Sequence, residues 1–154
     1  ARKNSETLYE ERVQKLYDLM VWVAVAVALP TTLFADWVIL ILYGADFQEA
    51  ADVLKMYIWA GVFVSLGVAS SKWLIAENLE RYSFYSTLLG AILNIVCNFY
   101  LIPIYGIRGA ALATLISYGT AAYLSMALFE KTRNNFWIAT RALNPYAVYL
   151  RATR

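Results

Sequence analysis

Six side chains of this chain pair polar or cationic chemistry with positions in or beside long apolar runs: Ser86, Asn94, Asn98, Lys72, Arg81 and Arg108. Ser86, Asn94 and Asn98, with Gly90 among them, recur at intervals of four, which sets them along one slowly drifting face of a helix. Inside a bilayer such groups need protein or water partners, because lipid offers none. Two readings of this face stay open. Either it lines a hydrated cavity that handles a polar substrate, or its asparagines hydrogen-bond to neighbouring helices as packing contacts. The three cations flank the apolar runs. Each can grip a phosphate, and Arg108, just ahead of a helix start, would have the helix dipole's help. Each can equally snorkel to lipid headgroups.

The elements that must hold these residues are long and apolar. Residues 82–107 contain no Asp, Glu, Lys or Arg over 26 positions, enough for a helix to cross a hydrocarbon core of roughly 30 Å. Pro103 and Gly106 cut the run, and a second charge-free run follows Arg108, so the pattern predicts two spans joined by a tight turn. The bulk composition agrees, at 61% hydrophobic and 16% charged with a positive mean hydropathy of +0.53. An ordinary soluble domain is nearer half apolar. These numbers describe an integral membrane protein.

Composition also removes whole classes of chemistry. With no histidine and a single cysteine, Cys97, the chain has no intrachain disulfide, no local metal cluster and no Ser-His or Cys-His catalytic pair. A net charge of +2 makes no case for nucleic acid as a partner. No cofactor or metal is expected. The first twenty residues lack the basic, apolar, small-residue order of a signal peptide, and the chain begins at Ala1 rather than Met, which reads as a piece of something longer.

Taken in order, residues 1–18 mix both signs of charge. Thr7 and Glu10 have capping-box spacing ahead of an apolar repeat at Tyr9, Val13, Leu16 and Met20, which predicts a helix running into the bilayer. The first span is expected at about 17–35, with Pro30 kinking or ending it, and Asp36 to Tyr43 as an interfacial turn or broken continuation. An acidic segment, 44–55, follows. Further spans are expected at about 55–75, 82–102 and 107–129, and residues 130–154 as a cytoplasmic or interfacial tail. Trp59 and Trp73 are placed as rings at headgroup depth. The fold class is therefore all-α: a polytopic membrane protein with about four transmembrane helices.

Positive charge is retained on the cytoplasmic side. With both termini inside, the inner segments hold Arg2, Lys3, Arg12, Lys15, Lys72, Arg81, Lys131, Arg133, Arg141, Arg151 and Arg154, and the outer ones only Lys55 and Arg108. An even number of spans requires the same arrangement. In the fourth span, Gly109, Ala110, Ala113, Thr114, Ser117, Ala121 and Ser125 put small residues on one side, which predicts close packing against the third. Gly61, Ser65 and Ala69 make a weaker stripe on the second. No acid falls in a span interior as these spans are drawn, so no proton or sodium site is evident.

The run Asn94, Asn98, Leu101, Ile102, Pro103, Tyr105, Gly106, Ile107, Gly109, Ala110, Ala111, Ala113, Thr114 resembles a pattern of the bacterial polysaccharide (O-antigen type) flippases. These belong to the multidrug/oligosaccharidyl-lipid/polysaccharide exporter superfamily. Leu42, Tyr43, Gly44, Phe47, Ala50, Ala51, Val53 and Leu54 resemble a second signature of that family, in the same order, and the similarity covers about residues 16–129. The resemblance implies that these spans form the last third of a bundle of about twelve helices in the bacterial inner membrane. The cargo would be an undecaprenyl-diphosphate-linked oligosaccharide, the partners the bilayer and the remaining N-terminal helices, and no bond would be made or broken. Two other readings stand beside it: a multidrug extrusion antiporter of the same superfamily, and a membrane scaffold or assembly subunit without transport activity.

Overall fold

The structure, a computed structural model, describes residues 2–153, with side chains at 8–151 and 153. It is all-helical among the described residues, and four helices are long and apolar enough to cross a membrane: Leu8–Tyr43, Ala45–Ala76, Glu80–Tyr105 and Ile107–Leu128.

Helix α1 (Arg2–Tyr43) is one element of 42 residues. It already includes Thr7, so the Thr7–Glu10 pair does not start it, and the side chains of Arg2, Lys3, Glu6 and Thr7 lie outside the described residues. Pro30 does not end the helix, and the segment from Asp36 to Tyr43 continues it, which removes the ending and the interfacial turn that the sequence left open. The physical reason is the solvent. A proline costs the helix one hydrogen bond, whereas ending a helix in hydrocarbon exposes several backbone groups that nothing there can pair. Just past the proline, Thr31 and Thr32 donate their hydroxyls back to the carbonyls of Val27 and Ala28, both at 2.8 Å.

Gly44 turns the chain with φ +86° into a short 3-10 turn and the amphipathic helix α2 (Gln48–Tyr57). After a break at Ile58 and Trp59, α3 (Ala60–Ala76) crosses. Helix α4 (Glu80–Tyr105) returns, carrying Pro103 in its last turn. Gly106, at φ +58°, reverses the chain into α5 (Ile107–Gly119). A π-helical turn, Thr120–Leu124, and the short α6 (Ser125–Leu128) complete the last span. The hairpin predicted around Pro103 and Gly106 is therefore present. Gly109 makes it tight: a Cβ there would sit 2.2 Å from the carbonyl oxygen of Leu101.

At the hairpin end, ion pairs tie α2 to both neighbours. Lys55 Nζ lies 2.7 Å from Asp36 of α1, and Arg108 Nη2 lies 2.7 Å from Asp52 of α2. At the opposite end, the described part of the expected tail, residues 130–153, holds α7 (Arg133–Leu143), which docks against α1, and α8 (Pro145–Ala152), which packs on α7. Asn144 caps α8, accepting from the backbone N–H of Tyr146 at 3.0 Å. The main apolar core sits at this tail end, where Tyr17, Val21, Leu66, Met126 and Ile138 pack together. Trp73 belongs to that core and is buried, so it is a packing residue rather than an interfacial ring. The wide apolar faces left exposed, among them Leu33, Trp37 and Ile41 of α1 and Ile95 and Phe99 of α4, suit a surface that meets hydrocarbon.

Candidate functional site

Helix α4 packs extensively against α5 and the π-turn that follows it, while α3 meets α4 much less. The divergence leaves a pocket of about 560 Å³ between α3, α4 and α5. Its α4 wall is Ser83, Ser86, Thr87, Gly90, Ala91 and Asn94, residues whose spacing of three and four keeps them on one face. Opposite stand Ser70 and Ser71 of α3 and Thr114, Ser117 and Ala121 of the last span, with Phe63, Val64 and Leu74 supplying apolar area.

Four of the seven serine and threonine hydroxyls lining this pocket spend their protons on their own helices. Ser71, Thr87, Thr114 and Ser117 each donate to the carbonyl four residues back, at 2.9, 2.9, 3.0 and 2.6 Å respectively. A hydroxyl has one proton and two lone pairs, so these groups offer acceptors to anything that enters. Ser86 is held across the helix boundary, 2.8 Å from Ser125 Oγ. No Asp, Glu, Lys or Arg lines the pocket. A cavity lined by no cationic side chain disfavours an anion, whose charge nothing there would balance. It fits a neutral group that both donates and accepts, as a sugar hydroxyl does.

The asparagines follow neither sequence reading in full. Asn98 Nδ2 donates to Asn94 Oδ1 at 2.9 Å, one turn away on the same helix, so they bond to each other rather than to a neighbouring helix. Asn98 Oδ1 is buried with no protein partner. Asn94 lines the pocket, and Asn98 lies one turn farther toward the hairpin. The structure thus brings Ser86 and Asn94 together in one cavity. It does not bring the three cations to it. Lys72 and Arg81 are exposed, Arg81 lying over the ring of Tyr82 at 5.4 Å, and Arg108 is engaged with Asp52 at the hairpin end.

The family model described as Lipid II flippase MurJ matches residues 1–150. The chain belongs to the MurJ lipid II flippase family. A relative from Haloferax volcanii, described as "Probable low-salt glycan biosynthesis flippase Agl15", is 31% identical over 91 residues, covering 59% of this chain and 19% of the relative. The chain thus spans about a fifth of that relative's length. No solved structure matches it. The flippase superfamily indicated by the motifs around Asn94 and Gly44 is the one to which this MurJ-family chain is assigned.

A second polar cluster, at the tail end, has no counterpart in the reading of the sequence. Buried Asn135 of α7 accepts from the hydroxyl of Tyr17 and donates to Ser70 Oγ at 2.7 Å, joining α7 to α1 and α3. Asp18 takes both Nε and Nη2 of Arg151 at 2.9 Å, and Gln14 Nε2 donates to the same carboxylate at 2.9 Å. Asp18, counted from the sequence with the charged segment 1–18, lies well inside α1 and is buried. Its charge is matched within the protein by a bidentate arginine, the geometry that best offsets burial of a carboxylate. Among the described residues no cluster of His, Cys, Asp and Glu is placed to hold a metal ion.

Of the pocket residues, Ser83 and Thr87 were within reach of the sequence, because they extend the spacing already noted at Ser86, Gly90 and Asn94. Ser70 and Ser71 carried no such signal. They face the pocket because α3 and α4 diverge, which nothing local to residue 70 encodes.

Proposed function

We propose that this chain forms part of a transporter that moves a polyprenyl-diphosphate-linked saccharide across the bacterial inner membrane, with both chain ends in the cytoplasm. The family match over residues 1–150 carries the reading. The pocket between α3, α4 and α5 supports it, since an uncharged cavity rimmed by hydroxyl and amide oxygens is suited to the neutral, hydroxyl-rich part of such a cargo. Ser86 and Asn94 line the proposed path, and Asn98 orients Asn94. The motif running from Asn94 to Thr114 favours an undecaprenyl-diphosphate-linked oligosaccharide used for surface polysaccharide. The family model favours lipid II as a second reading of the cargo.

The test uses the complete protein that contains this chain. Asn94→Leu or Asn98→Leu lowers transport of a fluorescent lipid-linked saccharide in proteoliposomes, while the amount of protein inserted is unchanged. Parallel loss of transport and of protein would reduce these asparagines to packing residues. Depleting the protein in cells separates the cargoes: loss of surface polysaccharide with intact growth supports the first, and lysis with lipid II retained in the inner leaflet supports the second. A complete protein that binds other membrane proteins but flips no lipid would favour a scaffold.

A further inference from the structure

The neutral pocket leaves open where a phosphate group would be held, and a second recess answers to that chemistry. At the tail end, a space of about 460 Å³ is walled by Tyr82, Leu128, Phe129, Glu130, Lys131 and Arg133. Its base is aromatic: the Tyr82 ring meets Phe129 edge-on at 5.1 Å, and Phe129 lies 6.2 Å from Tyr85. The guanidinium of Arg81 sits over Tyr82 at 5.4 Å.

The turn that carries the cations is held in place. Thr132, buried between exposed Lys131 and Arg133, directs its hydroxyl to the carbonyl of Met126 at 2.7 Å and, more weakly, to that of Phe129 at 3.1 Å. Lys131 and Arg133 are therefore fixed beside the recess by their backbone. Among the described residues, no carboxylate lies within ion-pair distance of Arg81, Lys131 or Arg133. Glu130 is the one acid on the recess, against two cations lining it and a third stacked on its wall. This corner stands where the spans Glu80–Tyr105 and Ile107–Leu128 end, at the depth where aromatic rings and basic side chains meet headgroups.

We propose that this recess is a binding site for the phosphate-bearing headgroup of a lipid. Lys131 and Arg133 contact the phosphate oxygens, Arg133 with the planar fork that suits them. Tyr82 and Phe129 cover the first carbons of the chain. The headgroup comes either from an anionic phospholipid of the bilayer or from the diphosphate of a polyprenyl-linked saccharide. Tyr82 and Ser83 are consecutive on α4, one lining this recess and the other the neutral pocket, so a diphosphate held here lies beside the entrance to the saccharide's proposed path. The site itself does not depend on the transport reading.

The experiment measures binding of undecaprenyl diphosphate, phosphatidylglycerol and, as a phosphate-free control, diacylglycerol to the complete protein by native mass spectrometry. Lys131→Gln with Arg133→Gln weakens binding of the phosphate-bearing probes by about thirtyfold, from two lost near-surface cations, and leaves diacylglycerol unaffected. Weakening confined to undecaprenyl diphosphate assigns the site to the cargo, and weakening confined to phosphatidylglycerol assigns it to a bilayer lipid. Equal binding of both probes by variant and parent overturns the proposal. If the double variant does not insert, the parent protein decides: its binding of the anionic probes falls with added salt, and salt-independent binding overturns the site. A protein that flips no saccharide yet keeps this charge dependence refutes the transport reading and leaves the site standing.

Discussion

Replacing Gly90 with alanine tests the packing that shapes the pocket. A Cβ at position 90 would lie 2.7 Å from the Cβ of Ala121 and 3.2 Å from the carbonyl oxygen of Ser117. Carbon atoms in contact prefer about 3.5–4.0 Å, so α4 and the last span must part by roughly 1 Å. Neither obstacle can rotate away, since one is a methyl fixed to the backbone and the other is backbone itself. Overpacking of this kind costs about 1–3 kcal/mol, and the rigid partners put it near the upper end. Alanine returns about 1 kcal/mol of helix propensity, leaving a net loss of about 2 kcal/mol. Ala121→Gly in the Gly90→Ala background removes the closer clash and cancels the propensity gain, bringing stability back to within about 1 kcal/mol of the parent. Ala121→Gly alone loses about 1 kcal/mol. Denaturation of the complete protein in detergent, run as a double-mutant cycle, reads the coupling as about 2 kcal/mol in favour of the double variant. Additive effects, or a stabilised Gly90→Ala protein, would refute the close approach of these helices.

Asn135→Ala strands the buried hydroxyls of Tyr17 and Ser70, each at about 1–3 kcal/mol. It should raise hydrogen exchange selectively in α7, and exchange that rises equally in all helices would refute the view that this residue clamps the tail. Arg108→Cys, with Cys97 changed to alanine, should react with a membrane-impermeant thiol reagent in intact cells. Labelling only after lysis would invert the proposed orientation.

Insertion in a membrane, four crossings and the turn at Gly106 were legible in the residues, because each rests on local physics. A charge-free run is long enough to cross or it is not, and proline followed by glycine ends a helix wherever it falls outside hydrocarbon. The small-residue stripe of the last span was legible for the same reason: Gly109, Ala113 and Ser117 recur at helical spacing and are all buried. The same local reasoning could not decide whether Pro30 ends its helix; the helix runs on, since one lost hydrogen bond weighs little against unpaired backbone in lipid. The clamp of Asp18 on Arg151 joins positions 133 apart, and no pattern along the chain links them. The pocket depends on how α3 and α4 splay, and its character depends on where each hydroxyl proton goes. Serine and threonine in the sequence promise both donor and acceptor. Once Ser71, Thr87, Thr114 and Ser117 close their protons onto the carbonyls of their own helices, those four present only lone pairs to the cavity, and that choice exists only in the folded bundle.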